Sequence, residues 1–246
     1  MGESKKIGPI SFLLRFVLGF TWLIFWSTLC MALMVLVLPF RTLRIRIGNF
    51  CGKIIGPFIT RIVGTKLINP DGQKLKNSGP AIYVTNHTSA LDIFISMTIC
   101  PYGGCGVGKK EVVRVPFFGW AYWLSGHLLI DRGNREKSVN SMNKLSKLVN
   151  DKKLSIWIWP EGTRSMDGKL IPFKKGFVHL ALATGLPIVP VILHGAHERW
   201  PAKTMQFYPG EVKVEVLDPI QTDTWTKETI DEHVKEVKGL MAKTLI

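Results

Sequence analysis

The sequence predicts an α/β fold: a mixed, largely parallel sheet flanked by helices, preceded by an N-terminal helical membrane-anchoring segment. Two observations carry this. From Gly64 onward, short apolar runs alternate with stretches of helical periodicity, the pattern of a sheet covered by helices. Before that point stands a run of 25 uncharged residues, Phe16 to Phe40, most of them apolar. The pattern changes near residues 62–66, so the expected organisation is residues 1–63 as membrane-associating helices and 64–246 as the α/β domain.

The elements of that domain follow in order. Strands are expected at 81–84, 128–130, 154–159, 188–193 and 212–216, each short and rich in Val, Ile or Leu or alternating in polarity. Helices are expected at 91–99, 134–152, 174–184 and 227–243, where apolar residues recur at helical spacing. There is no internal repeat and no low-complexity stretch.

As a helix, the N-terminal run would reach about 37 Å, longer than the ~30 Å hydrocarbon core of a bilayer. It is too long for the apolar region of a signal peptide, and no small-residue cleavage site follows before Arg41. A span is the default reading. Two features favour a hairpin embedded in one leaflet instead. Trp22 and Trp26 lie inside the run, although Trp prefers the membrane interface. After Pro39, a segment mixes Ile and Phe with Arg41, Arg44, Arg46, Lys53 and Arg61, which reads as a basic amphipathic helix on anionic lipid. Both flanks are basic, so charge sets no orientation. Residue 6 is lysine, so the start is not a myristoylation signal.

Net charge is +14, from 32 Lys+Arg against 18 Asp+Glu. Such a surplus implies an anionic partner: nucleic acid, anionic lipid or a phosphorylated substrate. The four cysteines, Cys30, Cys51, Cys100 and Cys105, form no CxxC pair. Reduced cytosolic thiols are expected rather than a disulfide framework or a zinc site.

Chemistry concentrates where strands end, the usual place for ligands in open α/β sheets. The segment Asn86-His87-Thr88-Ser89-Ala90-Leu91-Asp92 closes a strand and opens a helix. A turn could bring the Asp92 carboxylate to the His87 imidazole, fixing its tautomer and stabilising its protonated form, so that His87 acts as a general base. The alternative is structural: Ser89-x-x-Asp92 also resembles a helix cap. A second strand ends at Trp159-Pro160-Glu161-Gly162-Thr163-Arg164-Ser165. There Gly162 allows close approach of a substrate, and Arg164 offers a planar fork for phosphate. Gly126 to Asp131 delivers Arg132 in the same way. For Arg132 the alternative is a surface ion pair with Asp131 or Glu136. His127, His179 and His194 read as packing residues.

Together these segments resemble the four blocks of the glycerolipid acyltransferase family. Residues 86–92 resemble the first block with its H-x4-D core, 126–132 the second, 159–165 the third (F-P-E-G-T-R-S, with Trp159 for Phe), and 188–193 the fourth. Lys109-Lys110-Glu111 and residues 115–120 resemble the stretch between the first two. The likeness covers roughly residues 64–195 and implies direct acyl transfer in phospholipid synthesis. His87 would deprotonate the 2-hydroxyl of a 1-acyl-glycerol-3-phosphate, lysophosphatidic acid, which attacks a fatty-acyl thioester to give phosphatidic acid. Asp92 would orient His87. Arg132 and Arg164 would hold the acceptor phosphate, with Glu161, Gly162 and Thr163 shaping the pocket and Lys109 and Lys110 as further phosphate contacts. Pro190 would shape the pocket or an acyl channel. The resemblance implies no metal and no cofactor beyond acyl-CoA or acyl carrier protein as donor. It implies a membrane partner, no nucleic acid, and a catalytic domain on the cytoplasmic face of the inner (plasma) membrane. Glycerol-3-phosphate or another lysophospholipid is the alternative acceptor.

Two other readings are weaker. Gly103 to Lys109 fits G-x4-G-K, but Lys110 stands where a nucleotide-binding loop needs Ser or Thr. A non-catalytic membrane-binding module would explain the charge and the apolar run, but not two strand-end arginines beside H-x4-D.

Overall fold

The computed structural model describes residues 6–68, 72–131 and 133–245, with the backbone alone at 72, 73, 76 and 135. Two long helices open the chain, α1 (Pro9–Leu36) and α2 (Arg41–Val63). Pro9 sits in the first turn of α1, where its missing N–H has no partner to lose. α1 is long and apolar enough to cross a membrane. It packs antiparallel on α2: a methyl at Gly19 would meet Ile59 and Ile62, and Trp22 stacks on Phe58 with ring centres 4.2 Å apart. Cys30 is disulfide-bonded to Cys51, with Cα atoms 6.5 Å apart. The expectation of reduced thiols is therefore corrected for this pair. No motif marks it, because only the turn between the helices places residue 30 opposite residue 51. Cys100 and Cys105 are free and buried.

The basic residues of α2 do not form one outward face, as the sequence suggests; most of them turn to the α/β domain. Gly48, Gly52 and Gly56 form a stripe at i, i+4 spacing, one helix face. Through it α2 meets the α/β domain at backbone distance. A methyl at 56 would sit 2.5 Å from the Phe94 carbonyl oxygen, and one at 52 would sit 3.3 Å from Met97 Cβ. Three of the basic side chains donate to carbonyls of the domain. Lys53 reaches Thr98 O at 2.8 Å, Arg41 reaches Gly126 O at 2.9 Å, and Arg44 bonds Leu124 O. Thr98 and Leu124 lie in the last turns of α4 (Leu91–Ile99) and α5 (Phe118–Leu124), where carbonyls lack intrahelical donors and the helix dipole favours cations. Arg46 and Arg61 remain exposed.

The sheet has seven strands: β1 (Thr65–Ile68), β2 (Ile82–Thr85), β3 (Gly104–Lys109), β4 (Leu128–Ile130), β5 (Ser155–Ile158), β6 (Ile188–His194) and β7 (Gly210–Val216). Their spatial order is β1-β7-β6-β2-β5-β3-β4. The five from β6 to β4 are mutually parallel, β7 is antiparallel to β6, and β1 follows β7. The mixed, largely parallel sheet expected from sequence is thus present. One face packs Ile82, Val84, Ile156 and Ile158 against Leu145 of α6 (Arg135–Lys152), Phe177 of α7 (Gly176–Thr184) and Val237 of α9 (Ile230–Thr244). The other packs Tyr83, Trp157 and Val189 against Leu91 and Ile95 of α4. Two short helices, α3 (Gly72–Asn77) and α8 (Ala196–Arg199), complete the chain.

Expected and observed elements agree closely, with 91–99 and 128–130 unchanged. Expectation missed β1, α3, β3, α5 and α8. β3 reads Gly-Cys-Gly-Val-Gly-Lys, too glycine-rich to show a strand pattern. Its glycines serve a neighbour: a methyl at 106 would lie 2.8 Å from the Tyr122 hydroxyl.

Candidate active site

The carboxyl ends of β2, β5, β3 and β4 lie along one edge of the sheet, so the loops singled out in the sequence converge there. β2 ends at Thr85. Asn86 then locks the exit by accepting from Leu193 N–H at 2.8 Å and donating to Leu193 O at 3.0 Å. His87 follows. Its Nδ1 lies 2.9 Å from Asp92 Oδ2. Asp92 is fully buried, and its Oδ2 also accepts from the backbone N–H groups of Thr88 at 2.6 Å and Ser89 at 2.8 Å. These are free donors at the start of α4. One carboxylate oxygen therefore caps the helix and orients the imidazole. An ionised carboxylate only accepts, so Nδ1 carries the proton and Nε2 presents its lone pair. Nε2 makes no hydrogen bond among the described residues.

The loop after β5 fixes the backbone of His87. Glu161 is 2% exposed; its Oε1 accepts from His87 N–H at 2.7 Å and its Oε2 from Ile171 N–H at 3.1 Å. Burial pushes this carboxyl up to about 7, against the pull of those two donors. Ser165 N–H donates to His87 O at 2.8 Å. The Trp159 ring stacks on the imidazole, with centres 4.9 Å apart at 27°. Gly162 turns this loop with φ +71°, a left-handed conformation that favours glycine.

The remaining predicted residues fall into three groups. Gly162 is buried, Arg164 half-buried and Thr163 exposed in the loop beside His87. Lys109 and Lys110 stand at the carboxyl end of β3, exposed, with Lys110 Nζ 2.7 Å from Asp131 Oδ2. Pro190 is buried inside β6, opposite Val84, and so lies in the body of the sheet rather than among the loops. Arg132 lies outside the described residues. Glu161, with both oxygens held by backbone donors, is placed as a clamp on the His87 loop.

Trp159, which stacks on His87, lines two hollows. A cavity of about 110 Å³ sits between the helical hairpin and the sheet. Its walls are mostly apolar or small, including Met34, Gly52, Ile55 and Met97. His127 is half-buried in its lining, accepts from Gly106 N–H at 3.2 Å, and is driven by desolvation to about 4, hence neutral. The second hollow, a cleft of about 720 Å³, opens between α6 and α7. Sequence reasoning missed these cavity-lining residues, because the apolar side of α2 reads as lipid contact. The stacking of Trp159 had one signal, an aromatic residue at a strand end.

The acyltransferase family model matches residues 68–194. A relative from Limnanthes douglasii, named 1-acyl-sn-glycerol-3-phosphate acyltransferase, is 44% identical over 213 residues, covering 87% of this chain and 75% of that protein. A relative of the same name from Haemophilus influenzae is 36% identical over 185 residues, covering 75% and 76%. The crystal structure of the 1-acyl-sn-glycerophosphate acyltransferase from Thermotoga maritima shares the fold. Its TM-score is 0.76 at 20% identity, over 96% of this chain and 93% of that one. The chain belongs to the acyltransferase family.

Proposed function

We propose that this enzyme transfers a fatty-acyl group from an acyl thioester to the 2-hydroxyl of 1-acyl-glycerol-3-phosphate, forming phosphatidic acid. The observation that carries the proposal is the His87–Asp92 pair at 2.9 Å with Nε2 open. In the reaction, the acceptor hydroxyl oxygen attacks the thioester carbonyl while Nε2 takes its proton. The tetrahedral intermediate then expels the thiolate, which receives that proton from the imidazolium and leaves as a thiol. Asp92 stabilises the transient imidazolium. The names of the relatives support this acceptor. Arg132, Arg164 and Lys109 are the cations proposed to hold its phosphate. Lys110 must release Asp131 to join them. The donor is acyl-CoA or acyl-acyl carrier protein, and the apolar lining of the cavity beneath the hairpin suits its chain.

The catalytic domain is proposed to sit on the cytoplasmic face of the inner (plasma) membrane, with the hairpin in one leaflet. α1 is mostly exposed and apolar, while α2 is held against the domain by its glycine stripe. α1, packed along α2, cannot stand clear of that domain. Protease or thiol-label access to the Met1 end from the side opposite the domain would exclude the one-leaflet arrangement.

The reaction is tested by assaying purified enzyme in vesicles across donors and acceptors. Lysophosphatidic acid should be used at least about tenfold more efficiently than glycerol-3-phosphate, the discrimination expected when a whole acyl chain is recognised. Preference for glycerol-3-phosphate or another lysophospholipid would reject the proposed acceptor.

A further inference from the structure

The cleft between α6 and α7 lies across Trp159 from the apolar cavity, and its role follows from the acyl-transfer reading on which this inference rests. Ile130, Met142, Ile158, Phe177 and Leu180 form its apolar lining, and Asn143 adds a polar group. Lys174, Lys175 and Lys227 also line it and are exposed. Lys175 is engaged by Asp231 at 2.7 Å. Lys174 and Lys227 form no salt bridge among the described residues. Lys174 is tied to the catalytic loop: its N–H donates to Pro160 O at 2.8 Å, and its side chain covers Gly162 so closely that a methyl there would meet Cε at 2.9 Å.

We propose that this cleft binds the phosphopantetheine arm of the acyl donor. A thioester has two unlike halves joined at the reacting carbonyl. One is a hydrocarbon chain. The other is an arm with two amides, a gem-dimethyl group and a terminal phosphate. The structure offers two unlike hollows that share one wall, at the residue stacked on His87. The membrane-side cavity suits the chain. The cleft suits the arm, with methyls on the apolar lining, amides near Asn143 and phosphate charge at the lysines. The donor then threads past Trp159 with its carbonyl beside Nε2, and the departing thiol already lies on the aqueous side.

Two variants test this without disturbing the dyad. Val139→Trp narrows the cleft from an α6 position that is 48% exposed. The double variant Lys174→Ala/Lys227→Ala removes the two cations. Both are assayed in vesicles by two-substrate kinetics, with acyl-CoA and with acyl-acyl carrier protein. Coenzyme A binding is measured separately. The donor KM is expected to rise about 5- to 10-fold with the acceptor KM unchanged, and coenzyme A should bind correspondingly more weakly. A rise for one donor alone supports the site and identifies its source. A folded Val139→Trp enzyme with unchanged donor KM and coenzyme A affinity overturns the proposal, as does a rise in acceptor KM instead. Wild-type protein that binds coenzyme A through the cleft but acylates no lysophosphatidic acid would keep this site and reject the acceptor reading.

Discussion

Asp92→Asn separates the two roles of one oxygen. Asp92 Oδ2 accepts from His87 Nδ1 at 2.9 Å and from two backbone N–H groups at 2.6 and 2.8 Å. An asparagine can keep its oxygen there and retain all three contacts as neutral hydrogen bonds. Its amide nitrogen then replaces Oδ1, which is buried with no hydrogen-bond partner among the described residues, so the amide N–H groups lack an acceptor there, at a cost of about 1–3 kcal/mol in stability. What disappears is the negative charge beside the imidazolium formed during catalysis. At 2.9 Å and an effective dielectric of about 20, that attraction is about 6 kcal/mol, an upper figure. About half should survive as net transition-state stabilisation, because the asparagine dipole replaces part of it and His87 is partly solvated. A loss of about 3 kcal/mol lowers kcat by roughly 100- to 200-fold. Asp92→Ala instead strands two buried donors at ~1–3 kcal/mol each and should unfold more easily. The assay is labelled acyl transfer to lysophosphatidic acid in vesicles, with melting followed in parallel. An Asp92→Asn enzyme within about threefold of wild-type kcat would refute the charge argument and leave Asp92 as a helix cap.

Three further outcomes follow from other contacts. Gly56→Ala puts a methyl 2.5 Å from a backbone oxygen and should destabilise by about 1–3 kcal/mol in chemical denaturation; an unchanged midpoint would mean α2 is not held at that distance. Ser27→Leu, facing the cavity beneath the hairpin from α1, should shift product toward shorter acyl chains, read by mass spectrometry of the phosphatidic acid. An unchanged chain profile would place the acyl group elsewhere. Glu161 titrates at about 7 when folded against an ordinary 4.5. The folded state therefore holds the proton more tightly, and the contribution of Glu161 to stability falls as pH rises from about 4.5 to about 7, by at most about 3 kcal/mol. The stability of wild type minus Glu161→Gln should decline across that window and level off above it. A flat difference from pH 5 to 8 would show an unperturbed carboxyl.

The strands and helices that the sequence revealed were those whose pattern lies within themselves. The run 128–130 is apolar on its own terms, and 91–99 repeats at helical spacing, so both match the structure without adjustment. The convergence of the loops was legible for the same reason. Parallel strands put their carboxyl ends on one edge, so the three strand-end motifs had to share that edge, while the order of strands sets β2 beside β5 and β4 two strands beyond. Elements defined by a neighbour were hidden. β3 is a strand because β4 and β5 flank it and Tyr122 packs on its glycines, none of which is local.

The same distinction explains α2. Its basic and apolar residues were read correctly as a helix, but composition cannot tell a phosphate headgroup from a carbonyl at a helix terminus, since both are acceptors for Arg and Lys. The glycines at 48, 52 and 56 decide between them. Lipid has no need of a smooth helix face, whereas another backbone does, and these glycines face Ser125, Met97 and Phe94. Glu161 follows the same rule. In a strand-end motif with arginine it looks like part of a phosphate pocket, yet a second carboxylate there would repel the anion. Its burial between the N–H groups of His87 and Ile171 removes that conflict. The carboxyl group supports the base from behind, leaving the open side of the site to cations.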